Sequence, residues 1–132
     1  MTEKAKILVI DDAPEMCRFY HLVLTKAGFD VLTAENGKKG LALADTENPN
    51  LILLDLRLPD MDGTDILKIF RSSGKTEKTP ILVFSGSASK AKVDEIISLG
   101  ANAVVFKGMI PIKQMVDKIK SLLDVPPAPQ QL

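Results

Sequence analysis

Three aspartates, a serine and a lysine stand where short apolar runs end, and as a set they could handle a phosphoryl group. Asp11 and Asp12 follow Lys6-Ile7-Leu8-Val9-Ile10, and Asp55 follows Leu51-Ile52-Leu53-Leu54. Ser85 follows Ile81-Leu82-Val83-Phe84, and Lys107 follows Ala103-Val104-Val105-Phe106. A carboxylate is a competent nucleophile toward phosphorus. Three carboxylates in a small space repel one another unless a cation neutralises them. Hard oxygen donors with room for water and phosphate oxygens suit Mg²⁺, which screens an incoming phosphate and stabilises charge during its transfer. Lys107 adds a compact positive charge, and Ser85 a hydroxyl donor. Taken singly, each has a plainer role: an aspartate caps the next turn, a serine does the same, a lysine solvates a strand end. The repetition of polar residues at four such ends favours a shared site.

A parallel sheet would bring them together, because it places all its strand ends on one edge. The run Leu51–Leu54 is uniformly large and apolar, as expected of a strand buried on both faces. Its closing carboxylate then belongs at the carboxyl edge, where open α/β sheets bind ligands. Between the strands, Met16, Phe19, Tyr20, Val23 and Ala27 recur at helical spacing, with Pro14 in the first turn and Gly28 as the stop. Phe29 to Ala34 reads as a strand and Glu35-Asn36-Gly37 as a turn. A short helix over 38–45 follows, with Leu41 and Ala44 inward. Further helices are expected over 64–70, 90–99 and 110–123. Their inward faces carry Ile66, Leu67 and Phe70; then Val93, Ile96 and Ile97; then Ile112, Met115, Val116, Ile119 and Leu122. Five strands alternating with five helices predict an α/β fold, a doubly wound parallel sheet with right-handed crossovers.

A length of 132 residues suits one domain. Seventeen basic and seventeen acidic residues cancel, so no overall field argues for nucleic acid or membrane as partner. No apolar run approaches a membrane span, and the run after the charged N-terminus is too short for a signal segment. A single cysteine, Cys17, allows no internal disulfide and fits a reducing cytoplasm; packing is its expected role. The proline-rich segment 125–132 reads as a tail or linker stub.

The ordered set resembles the receiver domain of two-component response regulators. The matching residues are the pair Asp11-Asp12, Asp55, the loop Pro59-Asp60-Met61-Asp62-Gly63, Ser85 and Lys107, with 30 residues from Asp55 to Ser85 and 52 to Lys107. The resemblance implies a flavodoxin-like sheet of order 2-1-3-4-5 and a receiver domain over 1–124. It implies that Asp55 accepts a phosphoryl group from the phosphohistidine of a histidine kinase or phosphotransfer protein. Asp12 and Asp55 would bind Mg²⁺ through their carboxylates and Arg57 through its backbone carbonyl, with Asp11 assisting through water. Ser85 and Lys107 would contact the phosphoryl oxygens. Drawing in the loop after the fourth strand would then reshape the surface of the fourth helix, fifth strand and fifth helix. That surface engages an effector protein or a fused output domain.

Two positions depart from the pattern. Gly108 follows the lysine where the family usually has proline, and glycine lacks proline's low cis cost, so Lys107 is expected to be held differently. Val104 replaces the usual aromatic, and the neighbouring aromatic, Phe106, is assigned to the opposite face of the strand. These departures motivate the alternative, a receiver-fold interaction module that signals without phosphorylation. Two other motifs carry less. Asp60-Met61-Asp62-Gly63-Thr64 matches a phosphatase signature, but the residues before it are a loop and not a strand. A calcium loop there lacks its first and last acidic ligands, since Leu58 and Ile69 occupy those places. His21, the only histidine, falls within a helix and is expected to pack or face solvent.

Overall fold

A computed structural model describes residues 4–86, 89–108 and 110–123. The extreme N-terminus and the proline-rich segment 125–132 lie outside the described residues. Strands and helices alternate: β1 (Lys6–Ile10), α1 (Pro14–Lys26), β2 (Asp30–Ala34), α2 (Gly37–Glu47), β3 (Leu51–Asp55), α3 (Gly63–Ser72), β4 (Ile81–Ser85), α4 (Lys90–Ser98), β5 (Ala103–Phe106) and α5 (Ile112–Leu123). The strands form one parallel sheet in the order β2-β1-β3-β4-β5.

The apolar runs divide by parity into two cores. Ile7, Val9, Leu51, Leu53, Leu82, Phe84 and Val105 face α1 and α5, meeting Tyr20, Leu24, Met115 and Ile119. Leu8, Ile10, Ile52, Leu54, Ile81 and Val83 face α2, α3 and α4, meeting Ala44, Ile66, Leu67, Phe70 and Ile96. Each fully buried Leu or Ile contributes about 2 kcal/mol of transfer free energy. All five residues of β3 are buried, Asp55 included. Covering both faces leaves the strand ends as the places where a polar residue of the central strands can meet water.

Two helical faces differ from expectation. In α1 the buried residues are Cys17, Tyr20 and Leu24, while Phe19 is 40% exposed. The apolar stripe is wider than the sheet contact, and Phe19 falls at its outer margin. In α4 only Ile96 is buried, and Ile97, expected on the inward face, is 44% exposed. Helix α4 spans just nine residues and packs one side chain deeply.

Turn chemistry fixes the helix starts. Asn36, expected in a turn, caps α2 through Lys39 N–H at 2.8 Å. The Asp62 carboxylate caps α3, accepting from Thr64 N–H at 3.0 Å and Thr64 Oγ1 at 2.9 Å. Gly63 must lack a side chain, because a Cβ there would sit 2.6 Å from Leu56 Cα and 2.8 Å from its carbonyl oxygen. At the far end of α3, Arg71 donates to the carbonyls of Gly100 (2.9 Å) and Thr76 (2.8 Å) and to Asn102 Oδ1 (3.0 Å). It thereby ties α3 to the loops flanking β4 and β5.

Two outcomes are expected. Gly63→Ala forces backbone apart and should cost about 1–3 kcal/mol in urea unfolding, with the same m-value. Burial, and then the charge of Asp11, push the Cys17 thiol up to about 11. A disulfide reagent at pH 8 should therefore label Cys17 slowly in the native protein and rapidly in denaturant.

Candidate functional site

The parallel register brings the five residues of interest to one edge. Ile10 and Leu54 are register partners, as are Asp55 and Phe84, and Ser85 and Phe106. Asp11, Asp55, Ser85 and Lys107 therefore leave adjacent strands at nearly one level.

Asp11 is 1% exposed and uses both oxygens: Oδ1 accepts from Ala13 N–H at 3.0 Å and Oδ2 from Lys107 Nζ at 2.9 Å. Asp55 repeats the arrangement, Oδ1 accepting from Arg57 N–H at 3.0 Å and Oδ2 from Lys107 Nζ at 2.9 Å. Lys107 thus bridges two buried carboxylates from β1 and β3, while its own N–H donates to Ser85 O at 2.8 Å. Asp12 is exposed beside them. One carboxylate oxygen each from Asp11, Asp12 and Asp55 lie within 4.8 Å of one another.

The charges do not balance. Burial pushes the Asp55 carboxyl above the usual carboxylate range, although the Arg57 N–H and Lys107 favour its ionised form. Burial also works against the charge on Lys107, but the hydrogen bonds to Asp11 and Asp55 outweigh it and hold the ammonium above its ordinary value. One ammonium faces three carboxylates. The oxygen donors, their spacing and this deficit all suit a hard divalent cation. The cluster could therefore hold a metal, with Asp11, Asp12 and Asp55 as its acidic donors.

A cavity of about 600 Å³ opens beside Asp55, lined among others by Arg57, Met61, Ser85, Gly86 and Lys92. Arg57 also lines an adjoining cleft with Asp12, Asp55, Gly86 and Lys107. Ser85 is buried at its end of β4. All the candidate residues therefore converge. Gly108, where proline was the reference, has φ +78°, in the left-handed region that favours glycine.

One expectation is corrected. Ala103 and Val105 pack in the core facing α1 and α5, and Val104 in the opposite core. A strand has period two, so Phe106 shares the face of Val104 and does not oppose it. As the register partner of Ser85, it stands beside that residue.

Three neighbours were not foreseen. Lys92 of α4 lines the cavity, and nothing in its surroundings in the sequence distinguishes it from other surface lysines. Tyr20 stacks on Phe84, with ring centroids 5.2 Å apart and planes within 5°. Its hydroxyl is pushed up to about 12 by burial, and the charges of Lys107, Asp11 and Asp55 reach it. Asp60, read as part of a turn, accepts from the N–H groups of Gly37 (2.7 Å) and Lys38 (2.9 Å). His21 is exposed.

Comparison with known proteins agrees with this fold. The response regulator receiver domain model matches residues 7–120. The chain is 32% identical over 121 residues to a probable transcriptional regulator, ycf27, of Porphyridium aerugineum, covering 92% of this chain and 49% of that protein. It is 33% identical over 120 residues to the alkaline phosphatase synthesis transcriptional regulatory protein PhoP of Bacillus subtilis, covering 89% of this chain and 48% of PhoP. The chain thus spans about half the length of these curated relatives. Among solved structures, a CheY-like response regulator receiver domain protein from Methanospirillum hungatei superposes with a TM-score of 0.86 at 29% identity, covering 92% of this chain and 95% of that one.

The charge imbalance has opposite consequences for the two ends of the bridge. Without divalent metal at pH 7, Asp55→Asn should stabilise the fold, since it removes a carboxylate whose burial disfavours its charge. Lys107→Ala should destabilise it by about 3 kcal/mol, since two buried carboxylates lose their counter-charge. Urea denaturation in the presence of a chelator checks both.

Proposed function

The chain belongs to the response regulator receiver domain family, and from that premise we propose that Asp55 is its phosphoacceptor in an Mg²⁺-dependent reaction. The observation that carries this reading is the shared contact of Lys107 Nζ with Asp11 and Asp55, at 2.9 Å each, beside an open cavity. An Asp55 oxygen attacks the phosphorus of a phosphohistidine on a histidine kinase or phosphotransfer protein. The N–P bond breaks, an O–P bond forms, and the imidazole departs. Asp12 and Asp55 would hold the cation with the Arg57 carbonyl, Asp11 assisting through water. Mg²⁺ held there would offset the charge that builds on the phosphoryl oxygens. Lys107 shifts from the carboxylate to a phosphoryl oxygen, and Ser85 donates its hydroxyl to another.

Phosphorylation replaces one carboxylate charge with a larger one and three acceptor oxygens. In this reading Ser85 and Lys107 close on those oxygens and draw the β4–α4 loop inward, altering the face made by α4, β5 and α5. An effector protein or a fused output domain then reads that face. The domain turns over no separate metabolic substrate and catalyses only its own phosphorylation and dephosphorylation. A cytoplasmic location fits the lone cysteine, and no helix among the described residues is long and apolar enough to cross a membrane. Gly108 and Val104 motivated a phosphorylation-independent module; the bridging lysine and the complete acidic set weigh against it.

Intact-mass spectrometry after incubation with acetyl phosphate and Mg²⁺ tests the proposal. Wild type should gain one phosphoryl group, and Asp55→Asn or a chelated sample none. Lys107→Ala should react about a hundredfold more slowly. A folded wild type that gains nothing from acetyl phosphate or from a histidine kinase would favour the interaction module.

A further inference from the structure

We propose that Asp60 is a positioning residue for the metal site: its carboxylate, seated on the N-terminus of α2, fixes the loop that presents the Arg57 carbonyl. The inference rests on the Mg²⁺ reading given above. Both Asp60 oxygens are used, Oδ1 by Gly37 N–H at 2.7 Å and Oδ2 by Lys38 N–H at 2.9 Å. Asn36 takes the next amide, Lys39 N–H, at 2.8 Å. The first three amides of α2 are thus capped by two residues 24 positions apart in the chain. The first turn of α2 contains no acidic residue of its own. Asp60 supplies the negative charge that a helix N-terminus favours.

The approach is close, through side-chain ends rather than backbone. A Cβ on Gly37 would lie 2.8 Å from Ile66 Cδ1, 2.9 Å from Met61 Sδ and 3.2 Å from Asp60 Oδ1. The base of the same loop is held separately. Arg57 N–H donates to Asp55 Oδ1 at 3.0 Å, Arg57 and Asp62 form an antiparallel bridge, and Asp62 caps α3. Asp60 therefore ties the tip of the loop by hydrogen bonds to a helix that, among the described residues, supplies none of the proposed metal donors. Without it, the segment carrying Arg57 keeps its base and the packing of Leu56, Leu58 and Met61 on the adjoining core, but loses its hydrogen-bonded tie to α2. Groups that orient a metal ligand in this way commonly govern affinity.

Calorimetric titration with Mg²⁺, repeated with Mn²⁺ and followed by electron paramagnetic resonance, reads binding without phosphorylation. Asp60→Ala should bind about tenfold more weakly than wild type. Gly37→Ala, which keeps the carboxylate but crowds it at the helix N-terminus, should also weaken binding. Asn36→Ala removes another cap of the same helix without touching the loop, so it should lower the melting temperature yet leave affinity within about twofold. Wild-type affinity in Asp60→Ala overturns the proposal, as does an Asn36→Ala loss equal to that of Asp60→Ala. If Asp60→Ala fails to fold, wild-type affinity in Gly37→Ala overturns it instead. A wild type that binds neither metal overturns the Mg²⁺ reading along with it.

Discussion

An ammonium shared by two buried carboxylates holds the working edge of this protein together. Lys107 follows β5, and its two partners, Asp11 just after β1 and Asp55 at the end of β3, are 96 and 52 residues away in the chain. Removing the lysine leaves two buried carboxylates without their counter-charge, which costs more than the contacts contribute. Here the arrangement couples three strand ends, so strand order and register must be right before the contact can form. The two apolar cores on either side of the sheet enforce that order. They also exclude water from Asp11 and Asp55, and this raises the cost of any charge left uncompensated.

That cost is the resource on which the proposed chemistry draws. Three carboxylates with one ammonium are an unfavourable local arrangement for folding and a favourable one for a divalent cation and an electrophilic phosphoryl group. In that proposal, stability at the edge is exchanged for reactivity and recovered elsewhere, in uninterrupted β-strand cores and in helix caps. The Pro59–Gly63 loop illustrates the division of labour. Its acidic residues look chemical, but Asp60 and Asp62 cap α2 and α3, and Gly63 permits contact with the Leu56 backbone. The turn residues hold the frame within which the strand-end residues can act.

Much of this was legible in the sequence because it rests on two strong periodicities. Apolar runs ending in polar residues marked the strands and the reactive edge together, and all five candidate residues converge in the fold. The finer features depend on three-dimensional neighbours. The burial of Cys17 and Leu24 in place of Phe19 depends on how α1 rolls against the sheet, which a stripe of apolar residues does not specify. The face of Phe106 was misassigned although strand alternation settles it. Asp60 bonds to residues 23 and 22 positions earlier, and no local pattern signals such a contact. Lys92 and Tyr20 likewise reach the site only through helix packing.

The central claim is that the Asp55 carboxylate itself carries the phosphoryl group. Borohydride reduction of the phosphorylated protein converts an acyl phosphate to homoserine, and fragment mass spectrometry locates that residue. The account predicts homoserine at position 55 alone, formed only when Mg²⁺ and a phosphodonor are both present. Homoserine at Asp11 or Asp12, or phosphate found on Ser85 or His21 with Asp55 unmodified, would contradict it.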